Sequence, residues 1–209
     1  MHRYFSLTLP IAIFARNVAL VSLAALVPLL VVYVALQPGF AAMLSGGGPA
    51  LSRFLRQVAT NGFPVVFVVN YIGFFFYARF EAQMPERRRG PVLICTDMAM
   101  RVSVFILLHA VIYVASADWF GSFGGSKVTA LKVVAPTLAR SALFDNISGV
   151  YLYATLLGAV PIYAAAFGAS RAKGGKAGPW LAALLCCGFL ALALTLIAGG
   201  LVALQTDWT

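Results

Sequence analysis

The chain has 209 residues, of which 62% are apolar and only 10% are charged, and its mean hydropathy is +0.93. Soluble domains carry about 25% charged residues, so this chain has too few to cover a surface that faces water. A soluble globular protein is therefore excluded. The formal net charge of +9 does not indicate a nucleic-acid partner, because the basic residues are divided among the loops between apolar stretches.

Five stretches contain no Asp, Glu, Lys or Arg and approach or exceed the roughly 20 residues that a helix needs to cross a bilayer. They cover residues 17–36, 61–78, 102–117, 146–170 and 177–204. The third is the shortest, but the flanking charges of Arg101 and Asp118 can snorkel towards headgroups and lengthen it. We predict an all-α, polytopic integral membrane protein: one domain, residues 1–209, forming a five-transmembrane-helix bundle. The predicted helices cover about 17–36, 61–78, 98–119, 146–170 and 179–204.

Three further segments have the pattern of helices that lie along the membrane surface. Residues 4–15 are apolar, contain Pro10 and are bounded by Arg3 and Arg16, which predicts an interfacial segment before the first span. Residues 49–60 and 127–143 each place apolar side chains on one helical face and basic side chains mostly on the other. We expect the second of these helices to be kinked or split at Pro136, because proline removes a backbone donor.

The basic residues predict an orientation. With five crossings, one alternating set of termini and loops carries ten of the fifteen Lys and Arg residues and the other set carries five. The positive-inside rule then places the N-terminus in the cytoplasm and the C-terminus outside. A four-span alternative, in which the third stretch does not cross, removes this bias. We expect the protein to lie in a bacterial inner (cytoplasmic) membrane.

The loop between the second and third spans is the most charged part of the chain. Its run of Arg87, Arg88 and Arg89 is expected to fix the topology and to meet anionic lipid headgroups, where each basic side chain contributes about 1 kcal/mol. A docking site for a soluble partner is the alternative interpretation. At the start of the third span, Asp97 and Arg101 stand at i and i+4, which favours a local ion pair.

Two polar side chains fall in the middle of predicted spans. Asn70 lies at mid-depth in the second span and His109 in the third. If these helices are antiparallel neighbours, the two side chains can hydrogen-bond near the membrane midplane, where such bonds contribute about 0.6 kcal/mol on average. A structural role is the favoured interpretation, and a proton relay or ligand contact is the alternative.

The sequence contains no recognisable catalytic or metal-binding pattern. All six acidic residues fall in predicted loops or near predicted helix ends, and the chain has only two histidines. These observations disfavour coupled ion transport, a bis-histidine haem and a histidine-rich metal site. We therefore expect no cofactor, no metal and no enzymatic activity.

The function that fits this pattern best is a non-catalytic accessory or assembly subunit of a larger membrane protein complex. Its expected partners are other membrane subunits and anionic lipid headgroups at the cytoplasmic face. The alternative is a small channel or facilitator for an uncharged or anionic solute, with a polar constriction formed by Asn70 and His109.

Overall fold

The computed structural model describes residues 4–84, 90–116, 126–170 and 177–206, and these ranges are almost entirely helical. The α-helices within them are α1 (Ile11–Leu36), α2 (Pro38–Ser45), α3 (Gly48–Gln57), α4 (Phe63–Gln83), α5 (Pro91–Ala115), α6 (Lys127–Ala142), α7 (Ile147–Gly158), α8 (Val160–Ser170) and α9 (Ala177–Thr206). Five helical stretches are long and apolar enough to cross a membrane, namely Ile11–Leu36, Gly48–Gln83, Pro91–Ala115, Ile147–Gly168 and Ala177–Leu204. We number them as spans 1 to 5. They confirm the predicted all-helical class and the prediction of five helices long and apolar enough to cross a membrane.

Span 1 begins earlier than its charge-free stretch suggests. The helix starts at Ile11, directly after Pro10, so the second half of the predicted interfacial segment 4–15 forms the first turns of α1. The preceding residues fold back onto the bundle. The side chain of Asn17 donates to the carbonyl of Tyr4 at 2.7 Å, and the ring of Phe5 stacks on Phe74 of α4 at 4.6 Å.

Span 2 is one continuous helical stretch from Gly48 to Gln83. The amphipathic α3 does not end before the span but continues into α4 through a π-helical turn, Val58–Gly62. A π-helical turn inserts an extra residue into the helix and is frequently found at functional sites. This turn lies against α7, where a β-carbon on Gly62 would be 2.2 Å from a ring carbon of Tyr151.

Span 3 requires a correction to the sequence analysis. The predicted helix began at about residue 98, whereas α5 starts at Pro91 and ends at Ala115. The charged residues Asp97 and Arg101 therefore lie within the span, and both are buried. The interpretation that every acidic residue lies in a loop or near a helix end is wrong for Asp97. A charged residue can enter a span when its partner accompanies it on the next turn of the same helix.

The helix α6 packs against α5, α7 and α9. Val134, Ser141 and Ala142 of this helix are buried, so its C-terminal half belongs to the packed part of the bundle. The helix is not split at Pro136, which lies inside it. The turn that follows contains Phe144 with a φ of 60° and leads to α7, whose first residues are capped by the Asn146 side chain accepting from the Gly149 N–H at 3.2 Å.

Span 4 is the central helix of the bundle. In an 18-residue apolar stretch of this span 78% of the residues are buried, whereas the corresponding value for span 5 is 17%. Its two halves, α7 and α8, are separated at Ala159, two residues before Pro161. Proline lacks the N–H that would continue the helical hydrogen bonding, which accounts for the interruption.

The buried apolar residues form two clusters at different depths. One cluster includes Val18, Phe74, Met98, Leu156 and Tyr163. It lies towards the end of the bundle where α1 begins and α4 ends, which we call the near end. The other cluster lies towards the opposite or far end and includes Leu26, Val66, Phe105, Val150 and Ala154. On each of spans 1 to 4 the chain passes from one cluster to the other within a few residues, and buried polar side chains occupy that level.

Candidate functional site

Arg101 is the centre of the polar level between the two apolar clusters. It is 0% exposed and is the largest fully buried side chain among the described residues. Its Nε atom donates to the Asp97 Oδ2 atom at 2.7 Å, four residues earlier on α5. The ion pair predicted from the i, i+4 spacing is confirmed, and both of its side chains are buried inside the bundle.

The guanidinium group of Arg101 also reaches two other spans. Its Nη1 atom donates to the side-chain oxygen of Asn70 on α4 and, at 3.4 Å, to the carbonyl of Thr155 on α7. The amide nitrogen of Asn70 then donates to the Ser22 hydroxyl on α1 at 3.0 Å. One continuous set of hydrogen bonds therefore joins spans 1, 2, 3 and 4 at a single depth.

The carboxylate of Asp97 has a second partner on the kinked central span. The Tyr163 hydroxyl on α8 donates to the Asp97 Oδ2 atom, which also accepts from Arg101. We call the six connected residues the Arg101 network. It consists of the side chains of Ser22, Asn70, Asp97, Arg101 and Tyr163 and the backbone carbonyl of Thr155.

Glycine and aromatic residues provide the space for this network. The Arg101 Cζ atom lies 4.4 Å from the centroid of the Phe74 ring, a distance at which a cation interacts favourably with a ring face. A β-carbon on Gly73 would lie 2.7 Å from the same Cζ atom. On the central span, a β-carbon on Gly158 would lie 3.0 Å from the Asn70 amide nitrogen. Close approach of these helices therefore depends on two glycines.

The network contains one buried pair of opposite charges, Asp97 and Arg101, whose net charge is zero. An unpaired charge in a low-dielectric interior is strongly unfavourable, whereas a hydrogen-bonded pair of opposite charges offsets much of the desolvation cost. The offset here is incomplete, since the buried Asp97 Oδ1 and Arg101 Nη2 atoms have no hydrogen-bond partner among the described residues. The arrangement holds four spans in register and adds no net charge to the interior.

The structure does not join the two side chains that the sequence analysis paired. Asn70 bonds Ser22 and Arg101, while the Nδ1 atom of His109 lies 2.9 Å from the carbonyl oxygen of Phe105 on its own helix. His109 follows Arg101 by eight residues, which corresponds to about 12 Å along a helix. Asn70 therefore belongs to the network, and His109 lies nearer the far end.

His109 lines a cavity of about 400 Å³ between the π-helical turn, α4, α5 and α7. We call it the His109 cavity. The Tyr151 ring lies over Gly62, and Tyr151 also lines this cavity. Its hydroxyl is buried and has no hydrogen-bond partner within the described part of the chain. A smaller cavity of about 260 Å³ lies at the near end, between the residues before α1, the end of α4 and α8, with Tyr77 and Glu81 in its wall.

Two further features of the sequence analysis concern the basic patch and metal binding. The basic patch Arg87, Arg88 and Arg89 lies outside the described residues, so its role stays a prediction. Within the described ranges no group of three or more His, Cys, Asp or Glu residues is placed to hold a metal ion.

Sequence reasoning missed most members of the Arg101 network. Ser22, Thr155 and Tyr163 are ordinary residues of apolar helices, and no spacing pattern connects them. The sequence did contain one signal. Apolar residues lie on both sides of Asp97 and Arg101, and they extend the third charge-free stretch by more than two helical turns. The unpartnered hydroxyl of Tyr151 had no sequence signal at all.

Comparison of the chain with protein-family models, with curated proteins and with solved structures gives no match. The class of the protein therefore follows from its own architecture: an integral membrane protein with five apolar helices, four of which are joined by a buried polar network.

Proposed function

We propose that this protein is a non-catalytic accessory or assembly subunit of a larger membrane protein complex. The main supporting observation is that the charged and polar side chains of the Arg101 network lie inside the bundle and bond one another. Arg101, Asp97 and Asn70 bond one another and their neighbours across four spans, and none of the three is more than 1% exposed. Polar residues at membrane depth usually mark a pathway or a substrate site, but here they join helices. The function then depends on the outer surface of the bundle.

The surface that we propose as the contact face is the open side of α9. Span 5 is the least covered of the five spans. Leu185, Gly188 and Leu192 stand at i, i+3 and i+7 on this helix and are exposed. A β-carbon on Gly188 would meet nothing within 4 Å, so the backbone of α9 is accessible there. Small residues flanked by larger ones allow close approach of a second membrane helix.

The proposal includes the orientation derived from the basic residues. With the N-terminus in the cytoplasm, the near end of the bundle faces the cytoplasm, and the Arg87–Arg89 run meets anionic headgroups or a partner subunit there. The location that fits is a bacterial inner membrane. Cysteine accessibility labelling on either side of the membrane, with single cysteines placed in the 85–89 loop and at the C-terminus, tests this orientation.

Photo-crosslinking in native membranes tests the assembly proposal directly. A photoreactive amino acid is placed at Phe189 on α9 or, for comparison, at Leu107 on α5; these side chains are 71% and 64% exposed. We expect discrete protein adducts from position 189 and mainly lipid adducts from position 107. Mass spectrometry of the adducts then identifies the partner. If position 189 gives no protein adduct and the solubilised protein is recovered alone, the proposal is wrong.

A matched pair of glycine substitutions gives an independent test on the same helix. Gly188→Leu fills the accessible part of the proposed contact face, whereas Gly178→Leu adds the same side chain at the start of α9, where space is also open. We expect the first variant to reduce recovery of the partner in affinity purification at least severalfold, and the second to leave it unchanged. Equal recovery with both variants would remove α9 from the proposed interface.

A channel or facilitator for an uncharged or anionic solute is the second candidate. It is favoured by the two cavities near opposite ends of α4, one lined by His109 and the other by Glu81, with Asn70 and the rest of the Arg101 network between them. Flux measured in proteoliposomes and lost in His109→Ala supports this function. If no solute class crosses, the candidate fails.

A further inference from the structure

We propose that the His109 cavity and two arginines at its far end form a binding site for an anionic phospholipid. One acyl chain enters the cavity between α4 and α5, and Arg53 and Arg56 of α3 bind the phosphate. The site lies at the far end of the bundle, so it is separate from the lipid contact predicted for the Arg87–Arg89 run. The inference goes beyond the assembly function and does not depend on a partner subunit.

The two arginines continue one wall of the cavity. The helices α3 and α4 belong to one uninterrupted helical stretch, and Gln57 and Thr60 of this stretch line the cavity. Arg53 precedes Gln57 by four residues within α3. The Thr60 hydroxyl donates to the carbonyl oxygen of Arg56 at 2.8 Å. Because residues four apart lie on the same face of a helix, each arginine stands one turn beyond a residue of the cavity wall.

The length of span 2 places the arginines at the level of lipid headgroups. The stretch Gly48–Gln83 has 36 residues, whereas about 20 residues cross the hydrocarbon region of about 30 Å. We take the level of Asn70 as the middle of that region, since apolar clusters lie on both sides of it. Arg56 precedes Asn70 by fourteen residues, which corresponds to about 21 Å along a helix. Arg56 therefore reaches the headgroup region, and Arg53 lies one turn further out.

The two guanidinium groups are a fixed pair of like charges. Arg53 and Arg56 stand at i and i+3 on α3 and are exposed, and α3 contains no acidic residue to pair with them. Its position is set by Phe54, which is buried and contacts the Phe40 ring with centroids 4.7 Å apart. Neighbouring like charges on a helix repel each other, and a phosphate bound between them offsets this repulsion. Guanidinium groups bind phosphate oxygens with charge-assisted, often bidentate hydrogen bonds.

The cavity next to the arginines has the order of polarity of a phospholipid. Neutral polar side chains, those of Gln57, Asn61 and Ser148, line the part nearest α3, where the ester groups of a lipid follow its phosphate. Val65 and Leu108 line the part further along the spans, where the acyl chain follows. None of the described residues that line the cavity is Asp, Glu, Lys or Arg. Recognition of charge is therefore confined to the arginines at the end of the cavity.

The opening of the cavity fits a ligand that arrives from the bilayer. Val68 on α4 and Ile112 on α5 belong to the wall and are exposed, so an acyl chain can pass between these two helices. The volume of about 400 Å³ falls within the range of about 300–1,000 Å³ that is usual for small-molecule sites. It accommodates the ester region and part of one chain, while the phosphate stays outside with the arginines.

The test uses the purified full-length protein in phosphatidylcholine nanodiscs that contain phosphatidylglycerol with a photoactivatable group in one acyl chain. The background lipid carries a cation beside its phosphate, which the arginines disfavour. We expect saturable labelling that maps to residues 57–68 and 108–113 and is displaced by unlabelled phosphatidylglycerol. Dioleoylglycerol, which has no phosphate, and glycerol phosphate, which has no acyl chain, should compete at least tenfold less well. Labelling that does not saturate, or equal competition by either compound, would overturn the proposal.

Substitutions locate the two parts of the site. The double variant Arg53→Gln, Arg56→Gln removes both charges at exposed positions and should weaken competition by phosphatidylglycerol at least tenfold. The matched control is Lys132→Gln, Arg140→Gln, which removes the same charge from exposed positions on α6 outside the cavity. Ser148→Leu fills the cavity and should abolish saturable labelling although both arginines remain. Equal competition in the two double variants, or wild-type labelling of Ser148→Leu, contradicts the assignment.

Discussion

The Arg101 network and the His109 cavity show two ways of placing polar groups inside one helical bundle. In the network, a charged pair is closed by bonds from α4, α7 and α8, and Gly73 and Gly158 let the helices approach until little space remains. The cavity lies about 12 Å further along α5, where the neutral side chains of His109 and Tyr151 belong to the wall. The difference indicates that the network stabilises the fold, whereas the cavity is available for binding.

The largest expected effect is the loss of one partner of the buried ion pair. Arg101→Met leaves the Asp97 carboxylate without its counter-ion in apolar surroundings, which typically costs about 3–5 kcal/mol. Equilibrium unfolding in mixed detergent micelles should show a loss of this size in the free energy of unfolding.

The control for this variant is Arg140→Met, because Arg140 is exposed on α6 and its loss should change stability little. The double variant Asp97→Leu, Arg101→Met removes both charges and should recover a large part of the stability. An Arg101→Met protein as stable as Arg140→Met would contradict the structural role of the network.

A smaller effect is expected where a glycine admits the guanidinium group. Gly73→Ala places a methyl group 2.7 Å from the Arg101 Cζ atom and 2.9 Å from its Cγ atom. The arginine is held by bonds to three other residues and cannot move freely, so we expect overpacking to cost about 1–3 kcal/mol. Thermal unfolding in detergent measures it.

The matched comparison is Gly200→Ala on α9, where an added β-carbon meets nothing within 4 Å. Alanine is a better helix former than glycine by about 0.5–1 kcal/mol, so this variant should be neutral or slightly stabilised. Equal behaviour of the two alanine variants would show that Arg101 is not confined as described.

Removal of one hydroxyl from the network should have a moderate effect. Tyr163→Phe deletes the bond from α8 to the Asp97 carboxylate, leaving that carboxylate with the Arg101 bond alone. We expect a loss of about 1–2 kcal/mol, because the bond involves a charged acceptor. Unfolding of this variant at a wild-type midpoint would mean that α8 does not contribute to the network.

The smallest effect is expected from a tyrosine-to-phenylalanine substitution at the cavity, which can be compared directly with Tyr163→Phe. Tyr151→Phe removes a buried hydroxyl that has no partner among the described residues, so the stability of the purified protein should stay within about 0.5 kcal/mol of wild type or rise. A loss as large as that of Tyr163→Phe would show that the Tyr151 hydroxyl is bonded, and the distinction between the two regions would disappear.

Part of the candidate site could be anticipated from sequence. The i, i+4 spacing of Asp97 and Arg101 predicts their ion pair, because that spacing brings two side chains together on any helix. The depth of the pair was not predicted, since the charge-free stretch was taken as the limit of the span. Two oppositely charged residues that pair with each other can both lie within a span. A search for charge-free stretches ends the span at such a pair, because it does not take the pairing into account.

The predicted pairing of Asn70 with His109 does not occur in the structure. Both residues are polar, lie in neighbouring antiparallel helices and have similar predicted depth, yet Asn70 bonds Ser22 and Arg101. The actual depth of each residue depends on where α4 and α5 begin. Because α5 starts seven residues before its predicted position, Arg101 and not His109 reaches the level of Asn70.

The sequence by itself determined the solvent, the helical class and the five spans, because a hydrocarbon environment requires long apolar helices whose backbone bonds are all internal. The interruption of span 4 at Ala159 also has a local cause, since Pro161 lacks a backbone N–H. Only the tertiary structure decided which span is central, which polar groups meet around Arg101 and where a cavity remains at His109. Those features depend on the relative depth and rotation of helices that are distant in sequence, and apolar side chains that look alike in sequence do not specify either.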